Sequence, residues 1–243
     1  MLATITSDLD KIAPRFDMAP EQIRIIQTPA EFYETLKDKI SKAQSRIYLS
    51  TLYIGKTEHD LIATIRDALL KNPKLRISFL TDALRGTRET PNPSCASLLA
   101  PLITEFGDRV EVRMYHTPNL TGLRKRFIPR RINEGWGLQH MKLYGIDDEV
   151  IISGANLSSD YFTNRQDRYH LFSSSALTTY FHTLHSRVCD LSFSVHPSPT
   201  SPGGYTLTWP STNPAPSPLL SPTAYRASAT THLSPLLTPS NSP

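Results

Sequence analysis

Two hydrophobic periods alternate along residues 23–191, and that alternation admits few folds. Thr28-Pro29-Ala30-Glu31 sets a hydroxyl, a proline and a glutamate in the order that opens a helix. Phe32, Tyr33, Leu36 and Ile40 then fall on one helical stripe. Residues 46–53 read as a strand stopped at Gly55, and 59–70 as a helix carrying Leu61, Ile62, Ile65 and Leu69 on one side. Asn72-Pro73 breaks that helix, and 75–80 predict a second strand. Residues 94–106 predict another amphipathic helix, with Gly107 placed to end it. Further strands are predicted over 109–115, 138–146 and 150–153, with Asp147-Asp148 turning between the last two. Leu177, Tyr180, Phe181, Leu184, Val188 and Leu191 mark a closing helix. Strands and helices alternating at these lengths predict a layered α/β domain, its mixed or parallel sheet flanked by helices.

Composition divides the chain into three. An extension over 1–22 precedes the patterned domain, 23–193. The remainder, 194–243, is dominated by Pro, Ser and Thr, holds Arg226 as its one basic residue and has no acid. Such a stretch has little apolar surface to offset its ordering entropy, so it is expected to be disordered, or else to begin an element completed elsewhere. The two cysteines, Cys95 and Cys189, have no metal-ligand spacing, and a reducing compartment is expected. No apolar run approaches the roughly 20 residues that span a bilayer. Residues 1–20 show neither a secretory h-region nor an Arg-rich, acid-poor presequence, which leaves a cytosolic protein or a start upstream of Met1. The net charge of +4 permits an anionic partner without choosing one.

Chemistry concentrates in Gln139-His140-Met141-Lys142-Leu143-Tyr144-Gly145-Ile146-Asp147, followed by Ser153-Gly154-Ala155-Asn156. The pattern is H-x-K-x4-D with a Gly/Asn loop behind it. On a strand, His140 and Lys142 would share one face and Met141 and Leu143 the other. A nucleophile or base would then stand beside a fixed cation, with backbone N–H groups of the loop free to hold a phosphate. A lone strand histidine is more often structural, but the coincidence of motif, turn and loop favours phosphodiester chemistry.

These residues resemble the motif of the phospholipase D superfamily. The wider set 49–55, 82–88 and 137–169, including Tyr161-Phe162-Thr163-Asn164-Arg165-Gln166-Asp167-Arg168-Tyr169, is similar to the phosphatidylglycerophosphate synthases of eukaryotic mitochondria. The resemblance implies a phospholipase D-like domain, one of the two halves of a pseudo-dimer. It implies transfer of a phosphatidyl group from CDP-diacylglycerol to sn-glycerol 3-phosphate, without a metal or other cofactor, through a phosphohistidine. It also implies a peripheral enzyme on the matrix side of the mitochondrial inner membrane, with no nucleic acid as partner. His140 would be the nucleophile or its acid/base partner, Lys142 would stabilise phosphoryl charge, and Asp147 would complete the motif, more by fixing the turn than by touching substrate. Asn156 would bind phosphoryl oxygens, and Ser153 is its backup because the family's loop is usually one residue longer between the glycine and the asparagine. Asp167 would orient the imidazole, weighed evenly against an ion pair with Arg165 or Arg168. Arg85 and Arg88 could meet a substrate phosphate, although a surface loop explains them almost as well.

The family carries two H-x-K motifs, and here none of His59, His116, His170, His182, His185, His196 or His232 has a lysine two residues on. The chain is therefore expected to be half of a catalytic unit: truncated, the favoured reading, or completed by a separate half, or homodimeric. Arg124, Lys125, Arg126, Arg130 and Arg131 interleave with Leu120, Leu123, Phe127 and Ile128, which suits an anionic membrane surface or lipid phosphate. A solvated loop is the bland alternative. Two other functions stay open: a homodimeric single-motif phosphodiesterase or nuclease of the same superfamily, and a non-catalytic lipid-binding remnant.

Overall fold

The computed structural model describes residues 2–129, 132–237 and 239. In chain order the elements are α1 (Leu2–Leu9), β1 (Ile23–Ile26), α2 (Pro29–Lys42), β2 (Arg46–Ser50), α3 (His59–Lys71), β3 (Arg76–Asp82), α4 (Ala83–Gly86), α5 (Cys95–Phe106) and β4 (Val110–Tyr115). There follow α6 (Gly122–Phe127), β5 (Leu143–Ile146), β6 (Glu149–Ser153), α7 (Ser159–Thr163), β7 (Tyr169–Ser173), α8 (Ser175–Cys189), β8 (Phe193–Pro197), β9 (Tyr205–Thr208) and α9 (Pro222–Leu237).

Local chemistry explains the helix starts. Thr28 caps α2 by accepting from the Glu31 N–H at 3.1 Å, while Glu31 reaches past the cap to the Gln27 N–H at 2.8 Å. Ser94 caps α5, and Gly107 ends it at φ +59°, a conformation that suits glycine.

The described strands form one mixed sheet in the order β1-β7-β6-β5-β2-β3-β4-β8-β9. Only β2, β3 and β4 run parallel; β5 returns antiparallel to β2. Alternation along β2 sorts the two faces. Ile47 and Leu49 join the larger core with Phe32 and Leu36 of α2, Leu61 and Ile65 of α3, and Leu99 of α5. Tyr48 points the other way, into the layer with Leu177 of α8, and donates its hydroxyl to the Thr178 carbonyl. Beside it Gly145 has no alternative: a Cβ there would lie 2.0 Å from the Tyr48 ring.

Two expectations change. The strand predicted over 138–146 shrinks to Leu143–Ile146, because pairing with β2 begins only at Leu143 opposite Ser50. The Gln139 N–H, which a ladder would have used, goes instead to the Asp82 carboxylate at 2.9 Å. The segment expected to be disordered over 194–243 instead supplies most of β8, then β9 and α9. Its few apolar residues are well placed: Val195 and Tyr205 enter the main core, and Tyr225 packs on Leu191 and Ala215. The Tyr225 hydroxyl donates to the Leu191 carbonyl at 2.9 Å, and Pro222 sits at the first position of α9, where its missing N–H costs nothing. The extension before β1 is also anchored, through Phe16 and Met18 against the α8 layer.

Candidate active site

The mixed topology gathers the candidate residues on one edge of the sheet. β2 and β3 end there at Ser50 and Asp82. β5 begins there at Leu143, β6 ends at Ser153, and β7 begins at Tyr169 opposite Ser153. His140 and Lys142 lie immediately before β5, so the turn from irregular chain into strand brings them to this edge. His140 is exposed and Lys142 is buried; they do not share a strand face as the alternation predicted.

Among the described residues nothing hydrogen-bonds the His140 ring. Partial burial and the neighbouring Lys142 charge push its pKa below the usual imidazole value, so the ring is neutral and a lone pair is available at physiological pH. The Lys142 ammonium donates to the His140 carbonyl at 2.9 Å. Burial lowers its pKa to about 8, with Asp167 working in the opposite direction. That desolvated cation would be relieved by an incoming anion.

Asp167 sits differently from the expectation. Its carboxylate accepts from the Gly154 N–H at 2.9 Å and the Arg168 N–H at 2.6 Å; no described hydrogen bond reaches His140, and no described ion pair reaches Arg165 or Arg168. It orders the glycine loop beside Lys142, and a Cβ at Gly154 would lie 2.5 Å from its oxygen. Asn156 is buried, its Oδ1 accepting from Leu52 N–H at 3.3 Å and Thr51 Oγ1 at 3.4 Å, which leaves its amide nitrogen as a donor. Ser153 Oγ accepts from the Ala155 N–H at 2.9 Å and so folds the loop.

Asp147 is at the far end. Its N–H donates to the Arg46 carbonyl at the start of β2, whereas Leu143 pairs with Ser50 at that strand's end. Its carboxylate accepts from the N–H groups of Gln44, Ser45 and Arg46 and from Ser45 Oγ. A catalytic place for it is thereby corrected: the hydrogen-bonding capacity is spent on the α2–β2 turn, a whole strand away from His140.

The arginines share Glu134 as an ion-pair partner but line different cavities. Arg85 stacks over the Tyr53 ring, 4.4 Å from its centroid, and lines a cleft of about 260 Å³ with Lys56 and Ser158. Arg88 pairs with Glu134 and lines a different cavity. His140 borders a third, largely apolar groove with Leu138, Met141, Tyr225 and Leu233. Of the basic cluster, Arg124, Lys125 and Arg126 fall on α6, and Arg130 and Arg131 lie outside the described residues. Leu123 and Phe127 are 72% and 71% exposed, Ile132 and Trp136 are exposed beside them, and Arg124 lies over the Trp136 ring.

Sequence reasoning missed Asp82. Fully buried, it accepts from the N–H groups of Leu84 and Arg85 with one oxygen and from Gln139 with the other. It therefore ties the α4 turn that carries Arg85 to the residue preceding His140. Burial raises its carboxyl to about 7 against those three donors. Its position at the end of an apolar strand was the available signal. Among the described residues no group of three or more His, Cys, Asp or Glu is arranged to hold a metal, and no helix is long and apolar enough to cross a membrane.

Comparison with known proteins places this geometry in a family. Residues 36–187 match the family model described as cardiolipin synthase, PLD-like domain. The chain belongs to that phospholipase D-like family. A crystal structure of phosphatidylserine synthase from Haemophilus influenzae Rd KW20 superposes with a TM-score of 0.65 at 22% identity, covering 79% of this chain and 43% of that one. Nuc from Salmonella typhimurium, a phospholipase D family member, superposes at 0.52, covering 72% and 97%. Sequence relatives are nearer. The CDP-diacylglycerol–glycerol-3-phosphate 3-phosphatidyltransferase of Schizosaccharomyces pombe is 49% identical over 98% of this chain. The mitochondrial enzyme of that description from Gallus gallus is 41% identical over 78%. The chain spans about half of the former's length, 49%, and about a third of the latter's, 35%.

Proposed function

We propose that this chain supplies one half-site of a CDP-diacylglycerol–glycerol-3-phosphate 3-phosphatidyltransferase. The observation that carries this is the exposed, neutral His140 beside the desolvated Lys142 ammonium, in a chain 49% identical to an enzyme of that description. The His140 ring attacks the phosphatidyl phosphorus of CDP-diacylglycerol; an N–P bond forms, the P–O bond to CMP breaks, and CMP leaves. A hydroxyl of sn-glycerol 3-phosphate then attacks the phosphohistidine, the N–P bond breaks, and phosphatidylglycerophosphate departs as the imidazole regains its lone pair. Lys142 and the Asn156 amide stabilise charge on the non-bridging oxygens. Ser153 and Asp167 shape the loop that presents Asn156, and Arg85 stands by the neighbouring cleft for a substrate phosphate.

A second imidazole is needed to take the hydroxyl's proton. It comes from a second half or a second copy, because this chain has one H-x-K. The vertebrate relatives are described as mitochondrial, and that, with a lipid substrate, supports a peripheral enzyme of the mitochondrial inner membrane on its matrix side. The basic, apolar face of α6 suits contact with that anionic bilayer.

The test is incubation with CDP-diacylglycerol and sn-glycerol 3-phosphate, for the chain alone and joined to a second half, with CMP and phosphatidylglycerophosphate measured. Transfer by the completed protein and its loss in His140→Ala are expected. Transfer that survives the substitution overturns the assignment.

A further inference from the structure

The groove beside His140 leaves apolar surface in water. It holds about 260 Å³ between α8 and α9, and Leu138, Met141, Val188, Ala229 and Leu233 line it while only partly buried. Tyrosine hydroxyls aside, its polar members are Gln139 and His140, so polarity is confined to the stretch that carries the nucleophile. One wall is α9. Tyr225, Ala229 and Leu233 recur every four residues, which sets them on one stripe of that helix, and all three line the groove. The wall is pinned. The Tyr225 hydroxyl donates to the Leu191 carbonyl at 2.9 Å, Arg226 to Asn119 Oδ1 at 2.8 Å, and the Tyr180 hydroxyl to the Leu236 carbonyl at 3.1 Å. The groove is therefore preformed. Because α9 lies beyond residues 36–187, this wall is an addition to the domain that the family model matches.

The two faces of the sheet differ where they meet this edge. Arg85 and Lys56 share their cleft with Cys95, the first residue of α5, in the core layer of α2, α3 and α5. The groove lies over the other face: Tyr115, which lines it, alternates along β4 with Met114 of the main core. A phosphodiester held at the edge by His140 and Lys142 can therefore place a polar substituent on one face and an apolar one on the other. A nucleic acid strand is polar on both sides of each phosphorus and would leave the groove empty. A nucleotide-activated lipid is polar on one side and apolar on the other.

We propose that the α8–α9 groove receives an acyl chain of the phosphatidyl group while the phosphate meets His140 and Lys142, and that Ala229 sets how much of the chain enters. This assignment rests on the transferase reading for the identity of the lipid. Ala229 is the smallest side chain on the α9 stripe, between Tyr225 and Leu233, so a larger residue there would occupy the space the chain needs. Each methylene that leaves water for the groove should tighten binding about fourfold.

Calorimetric titration of the full chain with CDP-diacylglycerols bearing butanoyl, hexanoyl or octanoyl chains, each below its aggregation limit, tests it, with CDP as the headgroup control. Affinity should rise about tenfold from butanoyl to hexanoyl and level off once the chain outgrows the groove. Ala229→Leu and Val188→Phe fill the groove from different walls. Each should cost hexanoyl binding about tenfold, flatten the rise with chain length and leave CDP binding unchanged. Thermal unfolding midpoints report whether each variant is folded, and either one alone carries the comparison. Equal affinity for all chain lengths, or variants that weaken CDP and hexanoyl binding alike, overturns the proposal. So does a length dependence that disappears when the chain is joined to a second half, which would give the groove to a protein surface. Because the titration needs no turnover, it separates this inference from the transferase reading. Length-dependent binding without transfer by the completed protein leaves the groove assigned and sinks the reaction, and transfer without length dependence does the reverse.

Discussion

At the scale of single residues, the site is a compromise between chemistry and stability. Lys142 is held at a pKa of about 8, below the ordinary lysine value near 10.4. Between those values the unfolded chain binds a proton that the folded chain does not, so stability rises with pH across that window, and the penalty is fully present below about pH 8. Lys142→Met should remove it and raise unfolding stability at pH 7 by roughly 1–3 kcal/mol in thermal denaturation, while lowering transfer. The pH profile of the completed enzyme should fall on its basic side near pH 8, as Lys142 loses its proton. Lys142→Arg should move that limb upward, because guanidinium stays charged. On the acid side, activity should require the neutral His140, and His140→Ala should cut transfer at least ~1000-fold with the fold retained, read by circular dichroism.

At the scale of elements, two carboxylates do unlike work at opposite ends of the sheet. Asp147 is partly buried, which raises a carboxyl pKa, yet hydrogen bonds from the Gln44, Ser45 and Arg46 region more than reverse this and leave it lowered. Its stabilisation is present above the unfolded carboxylate pKa and is lost as pH falls through the lower folded value. Asp147→Ala should destabilise by about 2–3 kcal/mol in chemical denaturation, with turnover per folded molecule unchanged. Asp82→Asn is the contrasting case. Its amide N–H₂ would face either the α4 N–H groups or that of Gln139, so one tether must open. Transfer should fall about tenfold or more in kcat, beyond any loss of folded protein, and a variant with unchanged kcat would return Asp82 to a purely structural role. The elements also show what patterning made legible. The α2 start followed from Thr28 and the α5 end from Gly107, because caps are local. The shortened β5 did not follow, because the competitor for the Gln139 N–H is a carboxylate 57 residues away.

At the scale of the whole molecule, the exposed α6 face is the feature that a folded domain alone does not explain. Leu123, Phe127, Ile132 and Trp136 stand in water beside Arg124 and Arg126. Vesicles containing anionic lipid should shift tryptophan emission to the blue, and brominated lipid should quench Trp136 while sparing Trp209, whose indole donates to the Ala215 carbonyl inside the α8–α9 layer. Unchanged emission would remove the membrane contact. The last fifty residues belong to this scale too. Their Pro/Ser/Thr composition reads as unfoldable by itself, but β4 offers an edge for β8, and α8 offers a surface for α9. Ordering then follows from surface that the rest of the chain has already built.

What the sequence by itself determined was the kind of local structure and the kind of chemistry. Periodicity specified the layered α/β order, because burial of a stripe or a face depends on neighbours three or two residues apart. The H-x-K spacing specified a histidine beside a lysine, because two residues cannot separate far along any backbone. Tertiary structure decided everything that depends on distant chain. It set His140 outward and Lys142 inward, moved Asp147 to the far end of the sheet, and gave Asp167 to the Gly154 loop. It also set Met141, Val188 and Ala229 along one groove, although long stretches of sequence separate them. Burial and hydrogen-bond competition act through space, and no single stretch of residues records them.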